Sequence, residues 1–255
     1  MAKKEWTSYT WEVNGLQQQA QYNKTTVEGL FMPLLRRLTF LYEEKKERVI
    51  LFMAAPPATG KSTLTLFLEK LSREREGLIP MQALGLDGFH HHAAYLSAHT
   101  FRRDGKSLPL STIKGAPETF DAAKLAAKLK AVKDAKEDDI YWPVYDRSIH
   151  DVREEAVPVT EKILLLEGNW LLLKEEPWAS LRSYGDYALL IRANASLLRE
   201  RLIARKVQGG MSPEAAEKFY LASDSRNVER VLKDSGSPNE IWEMLTDNDY
   251  VQVAE

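Results

Sequence analysis

The sequence feature that most constrains the fold is a short loop that joins an apolar segment to a helical pattern. The segment from Val49 to Met53 is too short for a helix and has the composition of a strand buried on both faces. Beyond the loop, four apolar residues recur at the spacing of one helix face: Leu64, Phe67, Leu68 and Leu71. A strand, a tight loop and a helix that opens on Gly60-Lys61-Ser62 are together typical of a phosphate-binding loop.

The start of this helix explains why a phosphate would bind there. The first amides of a helix have no partner within it, and the helix dipole favours an anion at that end. Gly60 lets the backbone approach a phosphate because it has no Cβ. We predict that Lys61 reaches the β- and γ-phosphates as a catalytic residue and that the Ser62 hydroxyl binds Mg²⁺. The nucleotide-binding residues predicted from this motif are Pro57, Ala58, Thr59, Gly60, Lys61, Ser62 and Thr63.

One position of the loop departs from the usual pattern. Such loops begin with glycine, but this chain has Ala55 there. The departure leaves the geometry of the loop open, although the Gly60-Lys61-Ser62 core is intact.

Composition narrows the remaining possibilities. The chain has 255 residues, 44% of them hydrophobic, so it can bury a large core in one domain or in one domain with an appendage. A formal net charge of −2 argues against a general nucleic-acid binder or a membrane-surface protein. The absence of cysteine excludes disulfides and thiolate metal sites. No apolar run reaches the roughly 18 residues of a membrane span, so we expect a cytoplasmic protein.

Strand-like segments alternate with helical patterns, which predicts an α/β fold of the P-loop NTPase type with helices on both faces of a parallel sheet. We expect the P-loop domain to span residues 48–255 and an N-terminal extension, residues 1–47, to pack on it. The extension is predicted to hold a hairpin that turns at Asn14-Gly15 and a helix opened by a capping box from Thr25 to Glu28. Residues 93–115 are interpreted as a long irregular loop.

Acidic residues follow two further strand candidates. Asp87 comes after the segment from Ile79 to Leu86, and Glu167 comes after the segment from Ile163 to Leu166. Ligands of such sheets bind beyond the carboxyl ends of the strands. Phosphoryl transfer to an alcohol needs one carboxylate to take the hydroxyl proton and another to help hold Mg²⁺. We predict Asp87 for the first role and Glu167 for the second; a helix-capping or turn-forming role is the alternative for each.

Several stretches resemble a known family, and they occur in its order over about residues 48–210. The chain resembles the small-molecule kinases grouped with uridine kinase, pantothenate kinase and phosphoribulokinase. It is most similar to a bacterial branch described as nucleoside/nucleotide kinases or as fructose-transport kinase-like proteins. The stretches that carry the wider resemblance are the phosphate-binding loop, Leu86-Asp87-Gly88-Phe89-His90, residues 114–121, Pro143-Val144-Tyr145-Asp146 and Glu167-Gly168-Asn169. The similarity to the bacterial branch is carried by residues 167–173 and 224–228.

The resemblance implies ATP as the phosphoryl donor, Asp87 as the base and a helical lid that carries arginines. The lid matches Arg201 and Arg205, which lie one turn apart on one helix face, although a solvated basic face is the alternative. For the acceptor, the resemblance indicates His90, Arg103, Lys114, Tyr145, Arg147 and His150 in addition to Asp87. The acceptor is then a small hydroxyl-bearing molecule: a nucleoside, a sugar or a pantothenate-like compound.

Three functional hypotheses remain at this point: an ATP-dependent kinase of a small metabolite, a regulatory nucleotide-binding protein or ATPase without an acceptor, and a degenerate kinase without turnover. The only Asn-Lys pair, Asn23-Lys24, precedes the loop, which weighs against a GTPase. The run from His90 to His92 is not favoured as a metal site, because neighbouring side chains of a strand point to opposite sides. Whether the protein forms a homodimer is left open by the sequence.

Overall fold

The computed structural model describes residues 4–13, 16–103, 105–134 and 140–254, without the side chains of Val13, Leu16 and Arg103. The strands described are β1 Trp6–Val13, β2 Leu16–Asn23, β3 Val49–Ala54, β4 Met81–Gly85, β5 Thr100–Arg103, β6 Lys106–Pro109, β7 Tyr141–Asp146, β8 Asp151–Pro158, β9 Ile163–Gly168, β10 Tyr187–Ala193, β11 Glu240–Met244 and β12 Tyr250–Val253. The α-helices are α1 Lys24–Thr26, α2 Met32–Lys45, α3 Lys61–Glu74, α4 Ala93–Ala98, α5 Ala122–Asp134, α6 Trp178–Leu181, α7 Ala195–Gln208, α8 Pro213–Phe219 and α9 Ser225–Asp234. Single turns of π-helix, Val27–Phe31 and Tyr220–Asp224, continue α1 into α2 and α8 into α9.

The chain divides into two compact units. The first comprises residues 1–84 and 160–255, and the second comprises residues 85–159. The N-terminal extension belongs to the first unit, and its boundary as a domain near residue 48 stays a prediction. No helix in the described ranges is long and apolar enough to cross a membrane.

The first unit is built on a mostly parallel sheet with the strand order β12-β11-β10-β3-β9-β4. The pairings of β11 with β10, of β10 with β3 and of β3 with β9 are parallel, whereas β12 pairs with β11 in the antiparallel sense. Every residue of β3 is buried, as expected for a parallel strand covered on both faces. Helices α2, α3 and α7 contribute apolar residues to the same core, including Leu38, Phe67 and Leu202. The predicted α/β fold is confirmed.

The N-terminal hairpin pairs β1 with β2 in an antiparallel register that places Val13 opposite Leu16. The two residues predicted for its turn, Asn14 and Gly15, lie outside the described residues. The predicted capping box was wrong. The helix begins at Lys24, and the side chain of Asn23 accepts a hydrogen bond from the amide of Thr25. Glu28, expected to cap the helix, instead forms an ion pair with Arg75 at 2.6 Å. Asn23, two residues before Thr25, accepts a hydrogen bond from one of the first amides, so the helix starts there.

The second unit contains two antiparallel hairpins, β5–β6 and β7–β8, together with α4 and α5. Residues 93–115 were interpreted as an irregular loop, but they form α4, the β5–β6 hairpin and a 3₁₀ turn at Leu110–Ile113. A small apolar cluster holds these elements together, with Leu96, Leu110 and Ile113 buried in it. The polar composition of the segment concealed this cluster, because only a few apolar side chains supply the packing.

Candidate active site

The loop between β3 and α3 has the backbone of a phosphate-binding loop. Gly60 is the N-cap of α3 with a φ of 77°, a left-handed conformation that glycine adopts readily. The Gly60 carbonyl accepts hydrogen bonds from the Leu64 amide at 3.0 Å and from Thr63 Oγ1 at 2.8 Å. Thr59 is fully buried, and its hydroxyl donates to the Pro56 carbonyl at 2.9 Å. The loop is therefore held by its own side chains as well as by the helix.

Ala55 fits this loop without strain at its own position. Its side chain is fully buried, and its backbone is not among the residues with positive φ. The strained residue is Ala58, whose φ is 69° although it carries a Cβ. Residues other than glycine occupy this region only at an energetic cost, of order 1 kcal/mol or more. The departure at the first position of the loop is thus accommodated, and the unusual conformation lies three residues later.

Two loop residues contact Glu167, which lies at the end of the neighbouring strand. The register of β3 and β9 pairs Met53 with Glu167. Ser62 Oγ donates to Glu167 Oε1 at 2.8 Å, and Lys61 Nζ lies 4.0 Å from Glu167 Oε2. A hydroxyl and a carboxylate are hard oxygen ligands of the kind Mg²⁺ prefers, so the donor set present here fits that ion. The unpartnered amides expected at the start of α3 likewise fit the phosphates of a nucleotide.

The two arginines predicted for the lid lie on α7 in different surroundings. Arg201 Nη1 donates to the Ala58 carbonyl at 2.7 Å, and its Nη2 donates to Asn248 Oδ1 at 2.7 Å. Arg205 is exposed and lies near Asp224. Burial raises the pKa of the Asp224 carboxyl, while Lys206, which pairs with it at 3.2 Å, and Arg205 act in the opposite direction. Arg201 is thus bonded to the loop backbone, whereas Arg205 stands at the surface.

In the second unit, Asp87 lies in a 3₁₀ turn, Leu86–Phe89, directly after β4. Its side chain is exposed, while Gly88 and Phe89 are buried. A Cβ on Gly88 would lie 2.0 Å from the carbonyl oxygen of Pro143, so this turn packs its backbone directly against β7. Trp142 Nε1 adds a hydrogen bond to the Gly85 carbonyl at 2.9 Å. These contacts fix the backbone on both sides of Asp87.

Three of the predicted acceptor-binding residues lie together in this unit. The His90 ring packs against Phe120 with centroids 3.8 Å apart and planes tilted by 37°, and its ring centroid is 5.7 Å from that of Tyr145. Lys114 Nζ donates to the Tyr145 hydroxyl at 2.7 Å. Burial lowers the pKa of His90, and the Lys114 ammonium lowers it further, while the Asp87 carboxylate acts in the opposite direction. His90 Nδ1 lies 2.9 Å from the Asp87 carbonyl, which can only accept, so that nitrogen carries the proton.

The other predicted acceptor residues belong to the two hairpins of this unit. Arg147 and His150 are exposed in the turn between β7 and β8. Arg103 ends β5, and its side chain lies outside the described residues. His92 contacts Asp151 and Glu154 at 3.1 Å each, and the described residues include no cluster suited to a metal ion. The acceptor-binding roles of Arg103, Arg147 and His150 stay predictions.

Sequence reasoning missed several residues that line these sites. Phe120 packs against the His90 ring and lies within a stretch that carried the family resemblance, so its position was available as a signal. Tyr250 donates to the Thr59 carbonyl at 3.0 Å from a strand near the end of the chain. Asn248 accepts from Arg201 at 2.7 Å. No local motif links the last two residues to the loop.

No protein-family model matches the chain. The chain is 46% identical over 239 residues to the uncharacterized protein YggC of Escherichia coli (strain K12), and the match covers 93% of this chain and 96% of YggC. The chain belongs to the same family as YggC. This member of the YggC family is also 28% identical over 204 residues to "Putative uridine kinase C227.14" of Schizosaccharomyces pombe, with 78% of the chain and 85% of that protein covered.

A solved structure extends the comparison. The crystal structure of a "putative fructose transport system kinase" from Silicibacter sp. TM1040 matches this YggC-family chain with a TM-score of 0.73 and 26% identity. The match covers 85% of this chain and 98% of that one. The predicted resemblance to P-loop small-molecule kinases is confirmed by these relatives.

Proposed function

We propose that this protein is a kinase that transfers the γ-phosphoryl group of ATP to a hydroxyl of a small metabolite. The single observation that carries the proposal is the contact of Lys61 and Ser62, at the start of α3, with Glu167 at the end of the adjacent parallel strand. The similarity to a protein named as a uridine kinase and to one named as a fructose transport system kinase supports the same reaction class.

The loop would bind the phosphates through its backbone amides, and Lys61 would neutralise charge on the β- and γ-phosphates. Ser62 Oγ and Glu167, directly or through water, would hold Mg²⁺, which supplies charge neutralisation on the phosphate oxygens when bound. Ser62 donates a hydrogen bond to Glu167, so these two groups already face each other. Arg205, exposed on α7, is the lid residue that we propose to approach the transferred phosphoryl group.

Asp87 is the proposed base. In the reaction, the acceptor oxygen forms a bond to the γ-phosphorus, the bond from that phosphorus to the bridging oxygen breaks, and ADP leaves with the bridging oxygen. The acceptor hydroxyl proton passes to the Asp87 carboxylate. Asp87 suits this step because its side chain is exposed while the turn that carries it is fixed by Gly88 and Trp142.

The acceptor would be bound by the group around His90. Since Nδ1 of His90 carries its proton, Nε2 of the neutral ring is left as an acceptor for a substrate hydroxyl. The Tyr145 hydroxyl and the Lys114 ammonium offer further polar contacts, and Phe120 offers an aromatic face. This chemistry suits a nucleoside, a sugar or a pantothenate-like compound. We propose Arg103, Arg147 and His150 as additional contacts to that acceptor.

A screen of nucleosides, ketoses, pantothenate and vitamins for acceptor-dependent ADP release tests the proposal. We expect one class to stimulate release, and we expect Asp87→Asn to lower that turnover about 100-fold or more while ATP affinity is unchanged. Asp134→Asn, which alters an exposed carboxylate on α5, is the matched control and should retain full turnover. Release that no acceptor stimulates would instead favour the regulatory ATPase, and near-normal turnover of Asp87→Asn would remove Asp87 from the role of base.

A further inference from the structure

The conformation of the phosphate-binding loop requires support from outside the loop. Ala58 has a φ of 69°, and a residue with a Cβ persists in that region only where surrounding contacts hold it. Two carbonyl oxygens at this point are held by side chains from distant parts of the first unit. Arg201 Nη1 on α7 donates to the Ala58 carbonyl at 2.7 Å. The Tyr250 hydroxyl on β12 donates to the Thr59 carbonyl at 3.0 Å.

We propose that Arg201 and Tyr250 are positioning residues that aim the loop amides at the nucleotide. The peptide unit is planar and trans, so its N–H points opposite to its C=O. Holding the Ala58 carbonyl therefore directs the Thr59 amide the other way, and holding the Thr59 carbonyl does the same for the Gly60 amide. Within the described ranges, neither amide donates a backbone hydrogen bond. The inference rests on the proposed nucleotide binding, and it gives Arg201 a role different from that of a lid residue.

Both donors are themselves well fixed. Tyr250 is buried, and its ring packs edge-on against Phe31 with centroids 6.0 Å apart. Burial raises the pKa of the Tyr250 phenol, so the hydroxyl stays protonated and remains a donor. Arg201 spans from the loop to the turn between β11 and β12, where its Nη2 donates to Asn248 Oδ1 at 2.7 Å. A guanidinium can make these two bonds at once, which a lysine ammonium on a flexible stem does less well.

The same turn is tied to the N-terminal extension through Asp249. Its buried carboxylate accepts hydrogen bonds from Thr26 Oγ1 at 2.6 Å and from Asn23 Nδ2 at 3.0 Å, and it pairs with Lys4 at 2.8 Å. The Tyr250 amide also donates to Asp249 Oδ1 at 3.0 Å. A continuous set of bonds thus runs from the extension, through Asp249 and Tyr250, to the Thr59 carbonyl. The extension supports the loop by this route.

Binding of ADP and of a non-hydrolysable ATP analogue to the purified full chain, measured by calorimetry with Mg²⁺, tests the proposal. Tyr250→Phe removes one hydroxyl and keeps the ring. We expect it to weaken both nucleotides by about 3- to 10-fold, the worth of one hydrogen bond. Tyr187→Phe is the matched control, because it removes a hydroxyl that donates to Glu240 at 2.7 Å in the same sheet. Tyr187→Phe should change nucleotide affinity less than about twofold, even if its unfolding midpoint falls as far as that of Tyr250→Phe.

Arg201→Lys distinguishes positioning from direct contact with the transferred group. A positioning role weakens ADP and the ATP analogue equally, whereas loss of a γ-phosphate contact weakens the analogue alone. Unchanged ADP affinity in Tyr250→Phe, or selective loss of the analogue in Arg201→Lys, would overturn the inference. Both results leave the proposed function intact as long as the wild-type chain binds nucleotide. Failure of the wild-type chain to bind either nucleotide would instead refute the proposed function itself.

Discussion

Substitution of Gly88 by alanine tests whether the turn that carries Asp87 must lie directly against β7. A Cβ built at this position lies 2.0 Å from the Pro143 oxygen, 2.3 Å from the Pro143 carbonyl carbon and 2.8 Å from the Val144 nitrogen. All three atoms belong to the backbone, so no side chain can rotate away. Because a carbon and a carbonyl oxygen need roughly 3.3 Å, the turn and the strand must separate by about 1.3 Å.

This displacement predicts two measurable losses. Overpacking of a well-packed site costs typically 1–3 kcal/mol, and a backbone clash belongs at the upper end, about 3 kcal/mol. For a chain of this size, that corresponds to a fall of about 6 to 12 °C in the unfolding midpoint. Asp87 and His90 flank Gly88, and a misplacement of about 1 Å can lower turnover about 100-fold. ATP affinity should be unchanged, because Lys61 and Ser62 belong to the other unit.

Gly29→Ala is the matched control for this experiment. Gly29 lies in the π-helical turn Val27–Phe31, and a Cβ there would have no atom within 4 Å. Alanine is favoured over glycine in helices by about 1 kcal/mol, so this variant should unfold at the same or a higher temperature. The assays are thermal unfolding followed by circular dichroism and acceptor-dependent ADP release. A Gly88→Ala protein with wild-type midpoint and turnover would refute the packing argument.

Two other perturbations test the charged groups. Glu167→Gln removes the carboxylate charge beside Ser62, so we expect the Mg²⁺ concentration for half-maximal turnover to rise about 10-fold or more; an unchanged Mg²⁺ titration would exclude Glu167 from the metal site. Burial holds the pKa of His90 below its ordinary 6.5, so the unfolded chain binds more protons and stability falls as the pH drops below that value. His90→Asn should make the decline shallower in denaturant titrations between about pH 5 and 7, and an identical slope would contradict this cause.

The part of the site that lies at the ends of adjacent parallel strands could be predicted from the sequence. Lys61 and Ser62 follow one apolar strand and Glu167 ends another, and parallel strands deliver their carboxyl ends to the same edge. The strand pattern alone therefore predicted that these residues meet. The start of the first helix was misplaced for a different reason. Thr25 and Asn23 are both good caps, and the side-chain amide of Asn23 is held by Asp249 from the far end of the chain, a contact that has no local signal.

Other contacts have no local signal. Tyr250 lies 191 residues beyond Thr59, and the sequence around it gives no sign that its hydroxyl reaches a loop carbonyl. Arg201 was assigned from helix periodicity and family resemblance, which indicate the face of a helix but not the atom that a guanidinium binds. The β5–β6 hairpin was missed because its packing depends on a few residues, including Leu96 and Leu110, within a polar segment. Such contacts depend on how separate parts of the chain pack together, and a local residue pattern does not reveal that packing.

The loop and the end of the chain are linked by a physical requirement. A phosphate-binding loop holds its backbone partly in a conformation that glycine adopts readily, yet this loop has alanine at position 58, where φ is 69°. Alanine at position 58 restricts the unfolded chain more than glycine would, but it is strained in the folded one. The balance favours the folded loop only where outside donors hold its carbonyl groups. Arg201 and Tyr250 are such donors, and this gives the strand β12, at the edge of the sheet, a reason to begin beside the loop.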